Sequence, residues 1–279
     1  MKILFFKAKI PWFLIILSLA AAGCAGGSKT VPEKKSAEPQ TAPYPALVIE
    51  KAIPLMPERG SGGPLLDLSV TLLDPAGDGL IQDPLLQDLL YGGKKPQEYV
   101  DALILDYQNF YHEVYASLPA EDADLPPSMW EWSYGENHQV RIDPPLMVVS
   151  RFKEYYTGGA HGMREREYFV IDSAEKRRLF PEDLFTESAK EPLKALVEDA
   201  LRSYSKLSPG EPLSAGYYFD DSVEVPENFF LNSEGVGFHW NPYEIAPYSV
   251  GPLEVVIPYK RLQNLLTPKG ISLLSQSSF

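Results

Sequence analysis

The sequence predicts an α+β fold in which an antiparallel β-sheet is packed by two main helices. Several short segments alternate apolar and polar residues with a period of two, which is typical of half-buried strands. Two longer segments repeat apolar residues at spacings of three and four, which is typical of one helix face. Runs of strands with segregated helices favour an α+β fold.

A strand and a helix are the first elements that the pattern predicts. Between Leu65 and Leu73, leucine and valine alternate with aspartate, serine and threonine. A turn follows at residues 74–79, and prolines between Leu118 and Ser128 predict a loop. The helix lies between them and presents one apolar face: Val100, Leu103, Ile104, Tyr107, Tyr111, Val114 and Tyr115.

The middle of the chain predicts a hairpin. Strand-like runs at 129–139, 146–157 and 165–172 are rich in aromatic and β-branched residues. A glycine-rich segment joins the last two runs, and positive φ is expected at Gly158, Gly159 or Gly162.

A second helix and a group of short strands are predicted in the last third. A capping box of Ser188 and Glu191 begins the helix, which continues to Tyr204 and stops by Pro209-Gly210. The segment from Asn232 to Gly235 predicts a hairpin turn. The remaining predictions are strands near Glu224 and at 229–232, 236–240 and 253–258, and a short helix at 259–266.

The amino terminus has the layout of a lipoprotein signal peptide. Lysines at positions 2, 7 and 9 precede an apolar run, 10–22, that is shorter than the roughly 20 residues of a membrane-spanning helix. Ala21-Ala22-Gly23-Cys24 resembles the bacterial lipobox, with Ala21 in place of the usual leucine. We therefore expect cleavage before Cys24, the only cysteine, and its acylation. The alternative is an ordinary signal peptide with an incidental cysteine.

Four segments follow from this organisation. We expect a signal peptide at 1–23, a flexible tether at 24–45 that is rich in Gly, Ser and Pro, an N-terminal subdomain at 46–160 and a C-terminal domain at 161–279. The folded part is expected outside the cytoplasm, anchored by lipid at the cell envelope, in the periplasm or on the outer surface.

Negative charge limits the classes of partner. The chain has 25 basic and 38 acidic residues, and removal of 1–23 leaves 22 against 38, a formal net charge of -16. Nucleic acid and anionic lipid both need cationic surfaces, so the balance argues against either as a partner of the protein itself. It favours basic partners through electrostatic steering, and the alternative is a role in solubility alone.

The sequence gives little support for catalysis. The four histidines, His112, His138, His161 and His239, lack close metal-binding spacing, and no nucleotide-binding or nucleophile motif is present. We therefore expect no metal and no cofactor. Acidic pairs occur at 121–122, 182–183 and 220–221, and a cell-wall hydrolase that uses carboxylates or His161 is the alternative function.

Two stretches stand out as a candidate ligand-binding surface. Residues 155–162 (YYTGGAHG) combine glycines with aromatic residues and a histidine, and residues 238–252 are dense in aromatic residues and prolines. The alternatives are a tight turn and a packed crossover. The candidate binding residues are Tyr156, His161, Trp240, Tyr243 and Tyr248.

These stretches also carry a family resemblance. TGGAHG at 157–162, LFPEDLF at 179–185 and NPYEIAPYSVG at 241–251 resemble the extracellular domain of RsiV-type anti-sigma factors. The same domain occurs outside the catalytic domain of PdaC-type peptidoglycan deacetylases and in bacterial lipoproteins, and the resemblance covers roughly residues 46–267.

The resemblance implies an α+β fold with an antiparallel sheet and direct binding of lysozyme. No cytoplasmic anti-sigma segment and no deacetylase domain is recognised, so no catalytic residue is carried over. The expected function is that of a lipid-anchored, non-catalytic envelope protein that binds a lysozyme-type protein or a cell-wall glycan.

Overall fold

The computed structural model describes residues 45–74, 84–118 and 131–277, which belong to one compact unit. Within these ranges the helices are α1 (Pro84–Tyr91), α2 (Pro96–Ala116), α3 (Pro181–Leu184), α4 (Lys190–Tyr204), α5 (Tyr259–Leu262) and α6 (Pro268–Gln276). The strands are β1 (Ala46–Pro54), β2 (Leu65–Leu73), β3 (Glu131–Asp143), β4 (Leu146–Tyr156), β5 (Met163–Asp172), β6 (Arg177–Leu179), β7 (Phe229–Leu231), β8 (Gly235–Trp240) and β9 (Leu253–Pro258). None of the helices in this part of the chain is long and apolar enough to span a membrane.

The larger sheet contains six strands in the order β1 to β6, and the smaller sheet contains β7, β8 and β9. All neighbouring pairs are antiparallel except β2 and β3, which run parallel with Leu65 opposite Glu131 and Thr71 opposite Asn137. A parallel pair needs a long crossover connection, which α1 and α2 supply. The α+β prediction is confirmed, and the described strands pair antiparallel, as predicted, except at β2 and β3.

Helices α1 and α2 cover one face of the larger sheet. Alternate residues of β2 enter this core, as the period of two predicts, and the predicted helix face of α2 supplies Val100 and Tyr111. The fully buried members of this core include Leu66, Leu68, Leu86, Leu90, Val100, Tyr111 and Trp132.

The other face is covered at β4 to β6 by α4 and the smaller sheet. Val148 and Val170 share a core with Val197 of α4 and Phe238 of β8. The neighbouring Val149 points to the α1–α2 side, so β4 is buried on both faces at this end. The strand predictions for β3, β4 and β5 are confirmed.

The three glycines of the β4–β5 connection are needed for two different reasons. Gly158 and Gly159 have φ values of 90° and 91°, as predicted for this segment. Gly162 does not have positive φ, but a Cβ there would lie 2.9 Å from the Tyr155 carbonyl oxygen. Two glycines therefore permit the turn, and the third permits close approach of the backbone.

Helix α4 is confirmed, but its predicted amino-terminal capping box is wrong. A 3-10 turn at Glu187–Ala189 precedes the helix, and Ala189 occupies the N-cap position, so Ser188 and Glu191 form no capping box. The Ser188 hydroxyl instead lies 3.1 Å from that of Thr186. At the other end the helix stops at Tyr204, the last residue of the predicted apolar face, ahead of Pro209-Gly210.

Most of the predicted carboxy-terminal elements are present. Asn232 Oδ1 accepts hydrogen bonds from the backbone N–H groups of Glu234 and Gly235, which closes the predicted β7–β8 turn. Strands β7, β8 and β9 and helix α5 occur where the pattern predicts them. The strand expected near Glu224 is wrong, because that segment is irregular.

Several predictions lie outside the described residues. These are the signal peptide, Cys24, the tether up to residue 44, most of the turn at 74–79 and the proline-rich part of the loop after Leu118.

Candidate functional site

Two segments distant in sequence form an aromatic cluster, which we define as His161, Tyr243 and Tyr248. The rings of His161 and Tyr248 are stacked, with centroids 3.7 Å apart and an interplanar angle of 9°. The Tyr243 ring lies 5.8 Å from that of Tyr248, and its hydroxyl lies 3.3 Å from His161 Nε2. The cluster joins the β4–β5 turn to the loop between β8 and β9.

The hydrogen bonds around His161 indicate its tautomer. His161 Nδ1 lies 2.9 Å from the Gly162 carbonyl oxygen, which can only accept. Nδ1 therefore carries a proton, and Nε2 can accept from the Tyr243 hydroxyl. Since Tyr243 is 50% exposed, the cluster offers an aromatic face and a polar edge to solvent.

Asn241 fixes the first end of the loop that carries both tyrosines. Its Oδ1 accepts from the Arg166 N–H of β5 at 2.6 Å, and its own N–H donates to Glu244 at 2.9 Å. Tyr243 has a φ of 72°, and its N–H donates to the Ala246 carbonyl. The loop is therefore attached to the strand that follows the His161 turn.

The other two predicted binding residues do not join the cluster. Tyr156 donates from its hydroxyl to the Gly159 carbonyl at 3.0 Å and so supports the turn. Trp240 is only 3% exposed, because β8 is the central strand of the smaller sheet and is buried along its whole length. Of the five predicted binding residues, three therefore form the cluster. Tyr156 supports the turn beside it, and Trp240 belongs to the core.

A second polar group, which sequence reasoning missed, lies under α1 and α2. We call Glu136 and His138 of β3 the buried dyad: His138 Nε2 and Glu136 Oε1 are 2.7 Å apart, and neither side chain is exposed. Glu136 Oε2 accepts from the hydroxyls of Tyr99, at 2.7 Å, and Tyr134. His138 Nδ1 faces the Leu73 N–H at 3.3 Å, so this nitrogen is an acceptor and Nε2 carries the proton.

Burial and hydrogen bonding set the charges of the buried dyad. Burial lowers the pKa of His138 below its usual value, so its ring is neutral at pH 7. Burial would raise the pKa of Glu136, but hydrogen bonding to His138 and its proximity lower it to about 2. A carboxylate beside a neutral imidazole, shielded from solvent, links β3 to β2 and α2 and is suited to a structural role.

The charged side chains around the buried dyad extend across the sheet. Arg151 of β4 donates from Nε to Glu167 of β5 at 2.7 Å and from Nη1 to the Leu90 carbonyl of α1 at 3.1 Å. Lys153 is the cross-strand neighbour of both Glu136 and Glu165, and burial lowers its pKa. The positive charges of Arg151 and Lys153 thus lie next to carboxylates on the neighbouring strands.

Within the described part of the chain, the ring of His161 contacts no carboxylate. Its ring contacts are the Gly162 carbonyl and the two tyrosines of the cluster. Asp183 forms an ion pair with Arg177 at 2.7 Å, and Asp221 accepts from the Ser214 N–H. In the described ranges no three His, Cys, Asp or Glu side chains are grouped to hold a metal ion.

Comparisons with known proteins place this fold among structures of one domain family. Residues 182–260 match the family model described as "Protein of unknown function (DUF3298)". The match includes the loop with Tyr243 and Tyr248, while His161 precedes it. A comparison with curated proteins finds no match.

Two solved structures resemble the chain. A DUF3298 family member from Bacteroides fragilis has a TM-score of 0.69 and 24% sequence identity, and the similarity covers 85% of this chain and 98% of that one. A DUF3298 family protein from Pseudomonas aeruginosa has a TM-score of 0.51 and 20% identity, with 82% and 97% covered. The chain thus has an α+β fold that it shares with DUF3298 structures.

Proposed function

We propose that the protein is a lipid-anchored, non-catalytic component of the bacterial envelope that binds a basic, lysozyme-type protein through the aromatic cluster. One observation carries the proposal. The TGGAHG and NPYEIAPYSVG segments, on which the resemblance to lysozyme-binding RsiV-type domains rests, meet in one half-exposed cluster although His161 and Tyr243 are 82 residues apart. DUF3298 is also the domain found in RsiV-type and PdaC-type proteins.

Charge supports a basic partner. With residues 1–23 removed, the formal net charge of -16 attracts a cationic protein over several ångströms and orients it before contact. Glu244 directly follows Tyr243 in the same loop and is exposed, so it places a carboxylate beside the aromatic cluster. Steering of this kind raises the association rate, while aromatic contacts at the centre of an interface slow dissociation.

Membrane attachment is expected to depend on the thiol of Cys24. Because acylation needs that thiol, Cys24→Ser should move the protein from the detergent phase to the aqueous phase, or leave it unprocessed. Two or more acyl chains contribute roughly 0.8 kcal/mol per buried methylene, so the shift should be nearly complete. Detergent-phase partitioning with immunoblotting measures it, and a variant that partitions like the parent would disprove the lipoprotein assignment.

Surface plasmon resonance with a basic lysozyme tests the binding proposal. We expect saturable binding whose association rate falls as ionic strength rises from roughly 0.01 to 0.15 M, because the Debye length shrinks from about 30 to 8 Å. Tyr243→Ala and Tyr248→Ala should each raise the dissociation rate by roughly tenfold or more, since an aromatic residue in the centre of an interface typically contributes over 1 kcal/mol.

A matched control distinguishes site binding from general acid–base attraction. Tyr204 on α4 is also exposed, at 54%, and Tyr204→Ala changes neither the net charge nor the cluster. It should leave both rates unchanged. Absence of saturable lysozyme binding at low salt, or equal effects of the three tyrosine variants, would contradict the proposed site.

A cell-wall glycan is the second candidate ligand, and the exposed Tyr243 ring favours it because sugar faces stack on such rings. Co-sedimentation with purified peptidoglycan tests this candidate, and Tyr243→Ala should abolish retention. Release of soluble fragments during the same assay would instead support the alternative of a hydrolase that uses carboxylates or His161.

A further inference from the structure

Both ring nitrogens of the buried His239 face acceptor oxygens. Nδ1 lies 3.2 Å from Glu254 Oε2 of β9, and Nε2 lies 3.3 Å from Asn241 Oδ1, at the start of the loop between β8 and β9. The His239 side chain is 6% exposed, so water has little access to replace either contact. Only a doubly protonated imidazole can donate to both oxygens at once.

The Asn241 amide cannot rotate to suit a neutral ring. Its Oδ1 accepts from the Arg166 N–H at 2.6 Å, and its Nδ2 donates to Glu244 Oε1 at 3.3 Å. A rotated amide would place two donors together at Arg166 and two acceptors together at Glu244. The oxygen therefore stays directed at His239, and the ring must supply the proton.

We infer that His239 is a proton-dependent positioning residue, which holds the Asn241–Gly251 loop and its two cluster tyrosines in place when its ring carries both protons. Loss of one proton should occur at Nε2, because a lone pair on Nδ1 would face the Glu254 carboxylate. Nε2 then presents a lone pair to Asn241 Oδ1 and weakens the attachment of the loop to β5.

Several polar and charged groups from neighbouring elements surround His239. On β5, the Tyr168 hydroxyl donates to Glu254 Oε2 at 3.2 Å, and Arg166 lies close enough to affect the pKa of Tyr168. In the loop, Glu244 lies behind Asn241, and on the β7 side the His239 N–H donates to the Asn228 carbonyl. Glu254 thus contacts the ring directly, whereas Glu244 is connected to it through Asn241.

Hydrogen exchange of the purified full chain in detergent tests this inference without any ligand. The amide of Arg166 and the amides of residues 241–251 should exchange roughly tenfold faster once His239 loses its second proton, after correction for the intrinsic pH dependence of exchange. Tenfold corresponds to about 1.4 kcal/mol, within the range for one hydrogen bond to a charged group. Histidine-selective nitrogen labelling followed by NMR reports the titration of each of the four histidines in the same sample.

Three variants separate this role from a general effect on folding. His239→Gln should exchange fast at every pH, and Glu254→Gln should remain protected with a weaker pH dependence, because its amide can accept from or donate to Nδ1. His112→Gln, on the half-exposed histidine of α2, should retain the parent profile. Loop exchange that does not follow the titration of His239, or a Glu254→Gln profile identical to that of the parent, would overturn the inference.

The link to function rests on the proposed lysozyme binding, and the two can fail separately. If lysozyme binds, its dissociation rate should rise in parallel with loop exchange as His239 loses its second proton. If lysozyme does not bind, the proposed function fails, while the exchange experiment still decides the role of His239.

Discussion

Replacing Glu136 by alanine is expected to lower the free energy of unfolding by roughly 3 kcal/mol or more, because three buried donors lose their shared acceptor. The substitution leaves His138 Nε2–H and the hydroxyls of Tyr99 and Tyr134 without their shared acceptor, in a region that water does not reach. Each such unsatisfied group contributes a penalty of roughly 1–3 kcal/mol. Since the three donors come from β3 and α2, the α2 layer should loosen together with the sheet.

Urea denaturation followed by circular dichroism measures this effect. Glu131→Ala is the matched control, because Glu131 is an exposed residue of the same strand and should change stability by less than about 0.5 kcal/mol. Glu136→Gln should lie between the two. Its side-chain amide keeps one acceptor oxygen, but its NH2 group is a donor that faces the other buried donors. A Glu136→Ala variant as stable as the Glu131→Ala control would show that the buried dyad does not stabilise the fold.

Periodicity predicted the elements that one buried face defines. Strand β2 and the apolar face of α2 were found because each has a buried side and a solvent side. Strand β1 was missed because it is a sheet edge whose residues are all exposed or partly exposed, which weakens the alternation. The short β6 and α3 contain too few residues to show any period.

The direction in which β2 and β3 pair could not be predicted from the local sequence pattern. Neighbouring strands usually pair antiparallel, but the α1–α2 connection returns the chain so that β3 enters parallel to β2. Only the packing of both helices on one face determines this, and helix α1 was not predicted. The parallel pairing of β2 with β3 therefore follows from a tertiary contact.

The candidate site was predicted in part for a similar reason. Glycine and aromatic density identified His161, Tyr243 and Tyr248, and the structure brings them together. Trp240 has the same composition around it, but every residue of β8 is buried, so no alternation distinguishes an inward from an outward side chain. The buried dyad had a signal that could have been followed, since Glu136 and His138 continue the inward alternation of β3 set by Tyr134 and Val140.

The stability of the protein is expected to fall as the pH drops from 7 towards 2, and the buried dyad should account for much of the loss. Glu136 has a folded pKa of about 2, below its ordinary 4.5, so its contribution is present above pH 4.5 and is lost as the pH falls from there towards 2. A shift of this size corresponds to about 3 kcal/mol. His138 acts in the same direction, because its folded pKa is also lowered: below about pH 6.5 the unfolded chain binds a proton that the folded ring does not.

Urea denaturation at a series of pH values separates the two groups. Arg151, Lys153, Glu165 and Glu167 also face this region from β4 and β5, so the comparison must keep them unchanged. His138→Gln should flatten the profile between pH 7 and 5.5, whereas Glu136→Gln should be less stable at pH 7 and lose less stability below pH 4.5. Glu131→Gln, which replaces an exposed carboxylate, should follow the parent throughout. If the parent is equally stable at pH 7 and pH 4, or if all three variants show the parent slope, then the buried dyad does not carry the charges inferred for it.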